Sequence, residues 1–316
     1  MMYSPQPMHI PDGFLSVFVS VVLWTISIAS VGHALRRVGK DLGERQVPLM
    51  GVLAAAIFAG QMLNFTVAGG TSGHLLGAAL ATILLGPWAA VIVLTTVVSI
   101  QALIFQDGGL LALGANIFNM AVVGVSVSYF AYSSLKKLLG EQRWALFVNG
   151  FITAWLSIFI ASLAAALELS ASGTSPANIS VPAMGGIHAL IGIGEGLITV
   201  GALAFIYTAR RDMLQAGQSA PAGGKAIWVI GLGVAILLAV FSPLASAHPD
   251  GLEWVAKQKG FLDVAQGPLY KIIPNYVFPG ISNEAMATIV AGIIGTLIVF
   301  GVALGVAYMR RSQKAS

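Results

Sequence analysis

Uninterrupted apolar runs alternate along this chain with short connections that carry Gly, Pro and charge. A run of about 20 apolar residues spans a bilayer as a helix, because every backbone polar group must be satisfied within the segment there. On that pattern we expect nine helices, at residues 14–35, 48–64, 75–85, 88–105, 110–135, 143–169, a seventh through 185–196 to 210, then 226–247 and 285–308. The third is short for a span and suits the inside of a bundle, where protein covers its ends. The fold class predicted is all-α: a polytopic integral membrane protein with seven helices in a core bundle and two C-terminal transmembrane helices. Residues 215–224, polar and flexible in composition, read as a connection between two units. The boundaries expected are 1–211, a linker at 212–225, and 226–316.

Composition agrees with the pattern. The chain is 57% hydrophobic and 9% charged, with a mean hydropathy of +0.87, whereas a soluble domain carries roughly 25% charged residues. The net charge of +4 gathers at the ends of apolar runs, as topology determinants do, and is no sign of a nucleic-acid partner. Nine alternating helices put 13 of the 16 basic residues on one side, among them Arg36, Arg37, Lys40, Arg45, Lys136, Lys137, Arg143, Arg210 and Arg211. That side is expected to be cytoplasmic, with the N-terminus outside. Residues 1–13 contain no Lys or Arg, and the run after them is long enough to span, so it reads as a retained helix rather than a cleaved signal. No cysteine is present, which leaves nitrogen and oxygen as the ligands for any transition metal.

The candidate chemistry lies on the N-terminal side. Four of the five histidines, His9, His74, His188 and His248, fall there, while His33 sits at the other end of the first helix beside Arg36 as an interfacial residue. A free N-terminal amine followed by a residue-2 histidine offers a divalent ion three nitrogens: amine, deprotonated amide and imidazole. One further imidazole closes a square, the geometry that nickel(II) and copper(II) favour. Met8-His9 supplies this set if Met8 is residue one of the mature protein, with His74 as fourth ligand. With residues 1–7 attached, the Met8 nitrogen is an ordinary amide, and His9 binds through its imidazole together with His74 and either Asp12 or His188. Asp12 with Gly13 reads more readily as a cap on the first helix than as a ligand. His188 and Glu195 are seven apart, on one helix face, and are expected to pair in support of the site. Asn64, Asn116 and Asn119 are expected to bond between helices or to orient the histidines. His248-Pro249-Asp250-Gly251 echoes the stretch from His9 to Gly13, although Pro-Asp-Gly is also a plain turn.

These residues carry a resemblance. Met8-His9-Ile10-Pro11-Asp12-Gly13-Phe14-Leu15, Asn64-Phe65, Gly70-Thr71-Ser72-Gly73-His74-Leu75-Leu76-Gly77, Gly86-Pro87-Trp88-Ala89 and Gln106-Asp107-Gly108-Gly109-Leu110 resemble the substrate-capture component of cobalt/nickel energy-coupling-factor transporters, the CbiM/NikM family. The stretch from Ala112 to Met120 and that from His188 to Glu195 continue the likeness, which covers residues 8–211. After the linker the chain resembles the NikN-type partner, with its Pro-Asp-Gly-Leu-Glu signature at 249–253. The resemblance implies that Met8, His9 and His74 bind the metal, that Ni2+ or Co2+ is the transported substrate rather than a prosthetic group, and that a cytoplasmic ATPase subunit and a transmembrane coupling subunit are partners in a bacterial or archaeal cell membrane. The family usually starts at the position of Met8, so residues 1–7 are a departure from it.

Two other classes fit less well. The chain has no Gly-x-x-x-x-Gly-Lys-Ser/Thr stretch for ATP hydrolysis, and no two histidines stand four apart as in a zinc protease helix. A self-sufficient proton-coupled carrier needs ionisable residues along its path, and the membrane segments offer Glu195 and Glu168.

Overall fold

The computed structural model describes residues 8–41, 46–209, 211–214 and 224–315. The stretch before Met8, Arg45, Arg210 and most of the expected linker lie outside the described residues. Eleven α-helices are seen among those described: α1 (Val17–Asp41), α2 (Gln46–Gln61), α3 (Ala78–Leu85), α4 (Pro87–Ile100), α5 (Leu113–Ile117), α6 (Gly124–Leu139), α7 (Arg143–Ala171), α8 (Ala177–Ala209), α9 (Gly224–Phe241), α10 (Gly251–Lys259) and α11 (Glu284–Ala315). Six helical stretches are long and apolar enough to cross a membrane, and the chain is a multi-pass membrane protein. A π-helical segment, Gln101–Phe105, continues α4, and another, Phe118–Val123, joins α5 to α6. Inserted residues of that kind bulge one helix face and mark functional sites often. Here the second brings Asn119 and Met120 to a cavity described below.

α2 is nearly all buried and lies at the centre. Its small-residue stripe meets the C-terminal helices: a Cβ on Gly51 would lie 3.2 Å from Phe300 of α11, one on Gly231 of α9 would lie 2.2 Å from Val52, and one on Gly295 of α11 would lie 2.3 Å from Phe58. Small residues let backbones approach closely where lipid offers no hydrophobic drive between helices. The C-terminal pair is thereby packed into the bundle.

Three local features depart from the expectation. α1 begins at Val17 rather than Phe14 and continues past Leu35, with Arg37 Nε 3.4 Å from His33 Nε2 and the guanidinium over Trp88. Long basic side chains reach sideways to polar partners, so they need not end a helix. The polar stretch before His74 is a hairpin, β1 (Phe65–Val67) antiparallel to β2 (Thr71–Gly73), turned by Gly69 and Gly70 at φ 79° and 76°. The segment after Pro249 contains α10, whose sequence is a capping box: Asp250 Oδ1 accepts from the Glu253 N–H at 2.7 Å, Lys257 and Lys259 fill the last turn, and Gly260 ends the helix at φ 77°.

Candidate metal centre

One end of the bundle gathers the strap Met8–Leu15, the connection after α4, the hairpin, the start of α8 and the segment around α10. Asp107 is the hub, 1% exposed. Its Oδ1 accepts from the Met8 N–H at 2.6 Å and the His9 N–H at 3.2 Å, and lies 3.0 Å from His9 Nδ1. Three nitrogens of Met8-His9 thus converge on a single oxygen. The last contact has the distance but not the angle of a hydrogen bond, and among the described residues both ring nitrogens of buried His9 lack a hydrogen-bond partner. Burial alone would raise Asp107, but the adjacent His9, the Tyr276 hydroxyl and the Met8 N–H together hold it below its ordinary value.

The strap is held from both sides. The Ile10 N–H donates to Asn116 Oδ1 at 3.0 Å and Asn116 Nδ2 donates back to the Ile10 carbonyl at 3.1 Å. Gly109 N–H also donates to the Ile10 carbonyl. Gly108, at φ +91°, comes so close that a Cβ would lie 2.8 Å from His9 Cβ. Asp12 does not cap α1. It accepts from the Leu110 N–H at 3.0 Å and the Ala112 N–H at 2.9 Å, at the start of α5. The chain leaves Asp12 through Gly13 at φ +92°, and its backbone is bridged to Gln266 instead.

His74 stands across from His9, with ring centroids 5.7 Å apart. Its Nδ1 lies 3.1 Å from the Leu75 carbonyl, which fixes the proton there and leaves Nε2 with its lone pair. Burial, followed by the neighbouring His9, lowers His74 to about 4, so the ring is neutral at physiological pH. His188 Nδ1 is tied in the same way to the Met184 carbonyl at 2.8 Å. Met8, His9, His74, His188, Asn119 and Asp250 all face one cavity of about 80 Å3. Among the described residues, no three such side chains already stand at coordination spacing.

His188 and Glu195 do not pair. Glu195 accepts from the Leu76 N–H at 2.6 Å and the Gly77 N–H at 2.9 Å, at the N-terminus of α3, where free N–H groups and the helix dipole favour an anion. It anchors the backbone just after His74. Asn64 is buried at the end of α2, with its carbonyl bonded to the Ser246 N–H, and does not line the cavity. Asn119 donates to Glu168 at 2.8 Å. His248 lies off the cavity, its carbonyl taking the Ser72 hydroxyl at 2.8 Å.

Asp107 and Asp250 stand in stretches that the sequence marks, without a role that the sequence assigns, and nothing in the sequence points to Tyr276. The polar stretch Gln106-Asp107-Gly108-Gly109 before an apolar run was the available signal for the first. Tyr276 is fully buried, and its hydroxyl donates to Asp107 Oδ2 at 2.6 Å. Asp250 is buried, which raises it well above the usual carboxylate range.

Comparison with known proteins identifies the family. Residues 9–213 match the family model CbiM, the cobalt uptake substrate-specific transmembrane region, and residues 225–312 match the PDGLE domain. The chain is 38% identical over 312 residues to a putative fused nickel transport protein NikMN of Archaeoglobus fulgidus, covering 98% of this chain and 100% of that one. It is 32% identical to the fused nickel transport protein NikMN of Rhodobacter capsulatus, covering 79% of this chain and 76% of the relative. A crystal structure of a transition metal transporter superposes with a TM-score of 0.58 at 33% identity, over 71% of this chain and 99% of that one. The chain therefore belongs to the CbiM family of cobalt and nickel transport membrane proteins, followed by a PDGLE domain, and these metals are substrate rather than prosthetic group.

Proposed function

We propose that the chain captures Ni2+ or Co2+ at the His9 end of the bundle, facing outside, and delivers it to the cytoplasm with a separate ATPase and a transmembrane coupling subunit. The observation that carries the reading is the convergence of Met8 N, His9 N and His9 Nδ1 on one point, opposite a neutral His74. Where the mature chain begins at Met8, amine, amide and imidazole form the chelate and His74 Nε2 completes the square, which suits nickel and cobalt. With residues 1–7 attached, the two imidazoles remain and His188 is the next nitrogen on the cavity. Asp12, Asn64 and Glu195 act outside the ligand set, and Asp107 and Asn116 orient the strap. The basic residues at the opposite helix ends support the orientation. Residues 1–211 serve as the capture bundle, and 226–316 as a fused unit that completes it.

The test is the N-terminal peptide mass of the purified chain together with its metal content. One Ni2+ or Co2+ per chain is expected, lost in His9→Ala and His74→Ala. For a start at Met8, acetylating the amine abolishes binding. Full binding in both variants would end the reading. Uptake that persists in cells lacking the ATPase subunit would end its energy-coupling part.

A further inference from the structure

A wider chamber of about 520 Å3 lies beside the first cavity. Its walls come from the N-terminal strap, the Gln106–Leu110 connection and residues 250–275 of the PDGLE domain. Its rim includes exposed Leu269, and Lys271 also lines it. Three residues, His9, Asp250 and Leu252, face both the chamber and the small cavity. They form the partition between the two, and the first two supply its polar groups.

Both of these polar groups are more than nine-tenths buried, at 5% and 4% exposed. Among the described residues, His9 has no hydrogen-bond partner at either ring nitrogen. Asp250 Oδ1 accepts from the Glu253 N–H. Glu253 stands on the chamber wall, and its Oε2 is buried without a hydrogen-bond partner among the described residues. The other carboxylate of the chamber, Asp12, is committed to two backbone N–H groups. Gly251, next to Asp250, presses on His188: a Cβ there would lie 2.9 Å from Cε1 and 3.2 Å from Nε2. A hydrated divalent ion that enters the chamber therefore finds carboxylate oxygens on the same wall as the His9 imidazole. Oxygen ligands suit a cation that keeps part of its water, and imidazole holds nickel and cobalt more firmly.

We propose that Asp250, assisted by Glu253, is an entry station for divalent transition-metal ions, from which the ion passes to His9. The inference rests on the metal-capture reading and gives the PDGLE segment a defined part in it. The station is transient. It speeds arrival and departure alike, and it is not a ligand of the captured ion.

The experiment is stopped-flow Ni2+ binding to the full chain, comparing wild type, Asp250→Asn and Glu253→Gln. Asn keeps the helix cap and puts a neutral amide where an arriving divalent ion would bind a carboxylate. Association is expected to slow by about tenfold in Asp250→Asn, the low end of what electrostatic guidance of a charged ligand supplies, with dissociation slowed to match and affinity within about twofold. Glu253 makes no side-chain hydrogen bond through Oε2 among the described residues, so Glu253→Gln keeps the fold and is expected to slow association severalfold. Its rate decides the matter should Asp250→Asn not fold. An unchanged association rate in either folded variant would overturn the proposal. So would faster dissociation at an unchanged association rate, since Asp250 would then be a resident ligand or a prop. A wild-type chain that takes up no Ni2+ and no Co2+ would sink the capture reading and this inference with it, whereas normal wild-type binding beside unaltered variants would sink the inference alone.

Discussion

The Tyr276 hydroxyl donates to Asp107 Oδ2 at 2.6 Å, across 169 residues of sequence. Tyr276 stacks on Phe105, with ring centroids 4.9 Å apart, and contacts Phe58. The ring thus sits on the last turn of the helix that leads into Asp107. Because Asp107 Oδ1 faces Met8 and His9, a residue of the PDGLE domain sets the position of the strap through a single carboxylate.

Tyr276→Phe keeps the stacked ring and removes the donor. A hydrogen bond to a charged group contributes about 1.5–3 kcal/mol, and 1.4 kcal/mol is about tenfold in a binding constant. Ni2+ affinity measured by calorimetry should therefore fall by about tenfold or more, with helical content unchanged.

Gly109→Ala should break the strap. Its Cβ would lie 2.0 Å from Asp12 Oδ1 and 2.2 Å from Asp12 N, and backbone cannot yield as a flexible side chain does. Overpacking costs about 1–3 kcal/mol, with the Asp12 bonds to Leu110 and Ala112 lost in addition. Both a lower melting temperature and weaker metal binding are expected, and a variant that melts like wild type would contradict the close approach.

Glu195→Gln leaves one acceptor where two backbone N–H groups converge and removes the anion from the start of α3. Helix-terminal charges contribute up to about 2 kcal/mol in partly buried geometries. The variant should be less stable and, since the backbone after His74 loosens, bind Ni2+ more weakly. Glu195→Ala should be worse in both measurements.

Acid should destabilise the fold through His74. Its folded value is lowered to about 4 against an ordinary 6.5. Between those values the unfolded chain binds a proton that the folded chain refuses, so stability falls as pH drops from about 6.5 toward 4 and is level above that window as far as this group is concerned. Melting temperatures of His74→Gln, set against wild type across that range, should show a shallower fall; parallel curves would place the acid sensitivity elsewhere.

Much of this was open to a reading of the chain. Long apolar runs have one solution in lipid, so the spans could be placed from composition, and the histidines at one end of them could be paired by side. What sequence could not supply was the partner of each polar group. Asp12 is adjacent to α1, yet the N–H groups it accepts from belong to α5, about 100 positions on. His188 and Glu195 do share a helix face. Two turns separate them by about 10 Å along the axis, so each found its own partner, His188 the cavity and Glu195 the start of α3. α10 was legible in hindsight from Asp250 and Glu253 three apart, but a nine-residue helix of mixed polarity leaves no apolar run to detect.

The Tyr276 tie also dictates an order of events during synthesis. Asp107 and Tyr276 are 169 residues apart, and contacts of such separation form late. Before Tyr276 has been made and docked, the strap can already lie against Asp107, but that carboxylate lacks its Tyr276 donor. The bonding around Asp107 is complete only once Tyr276 has docked, so a chain that stops short of Tyr276 holds the strap less firmly.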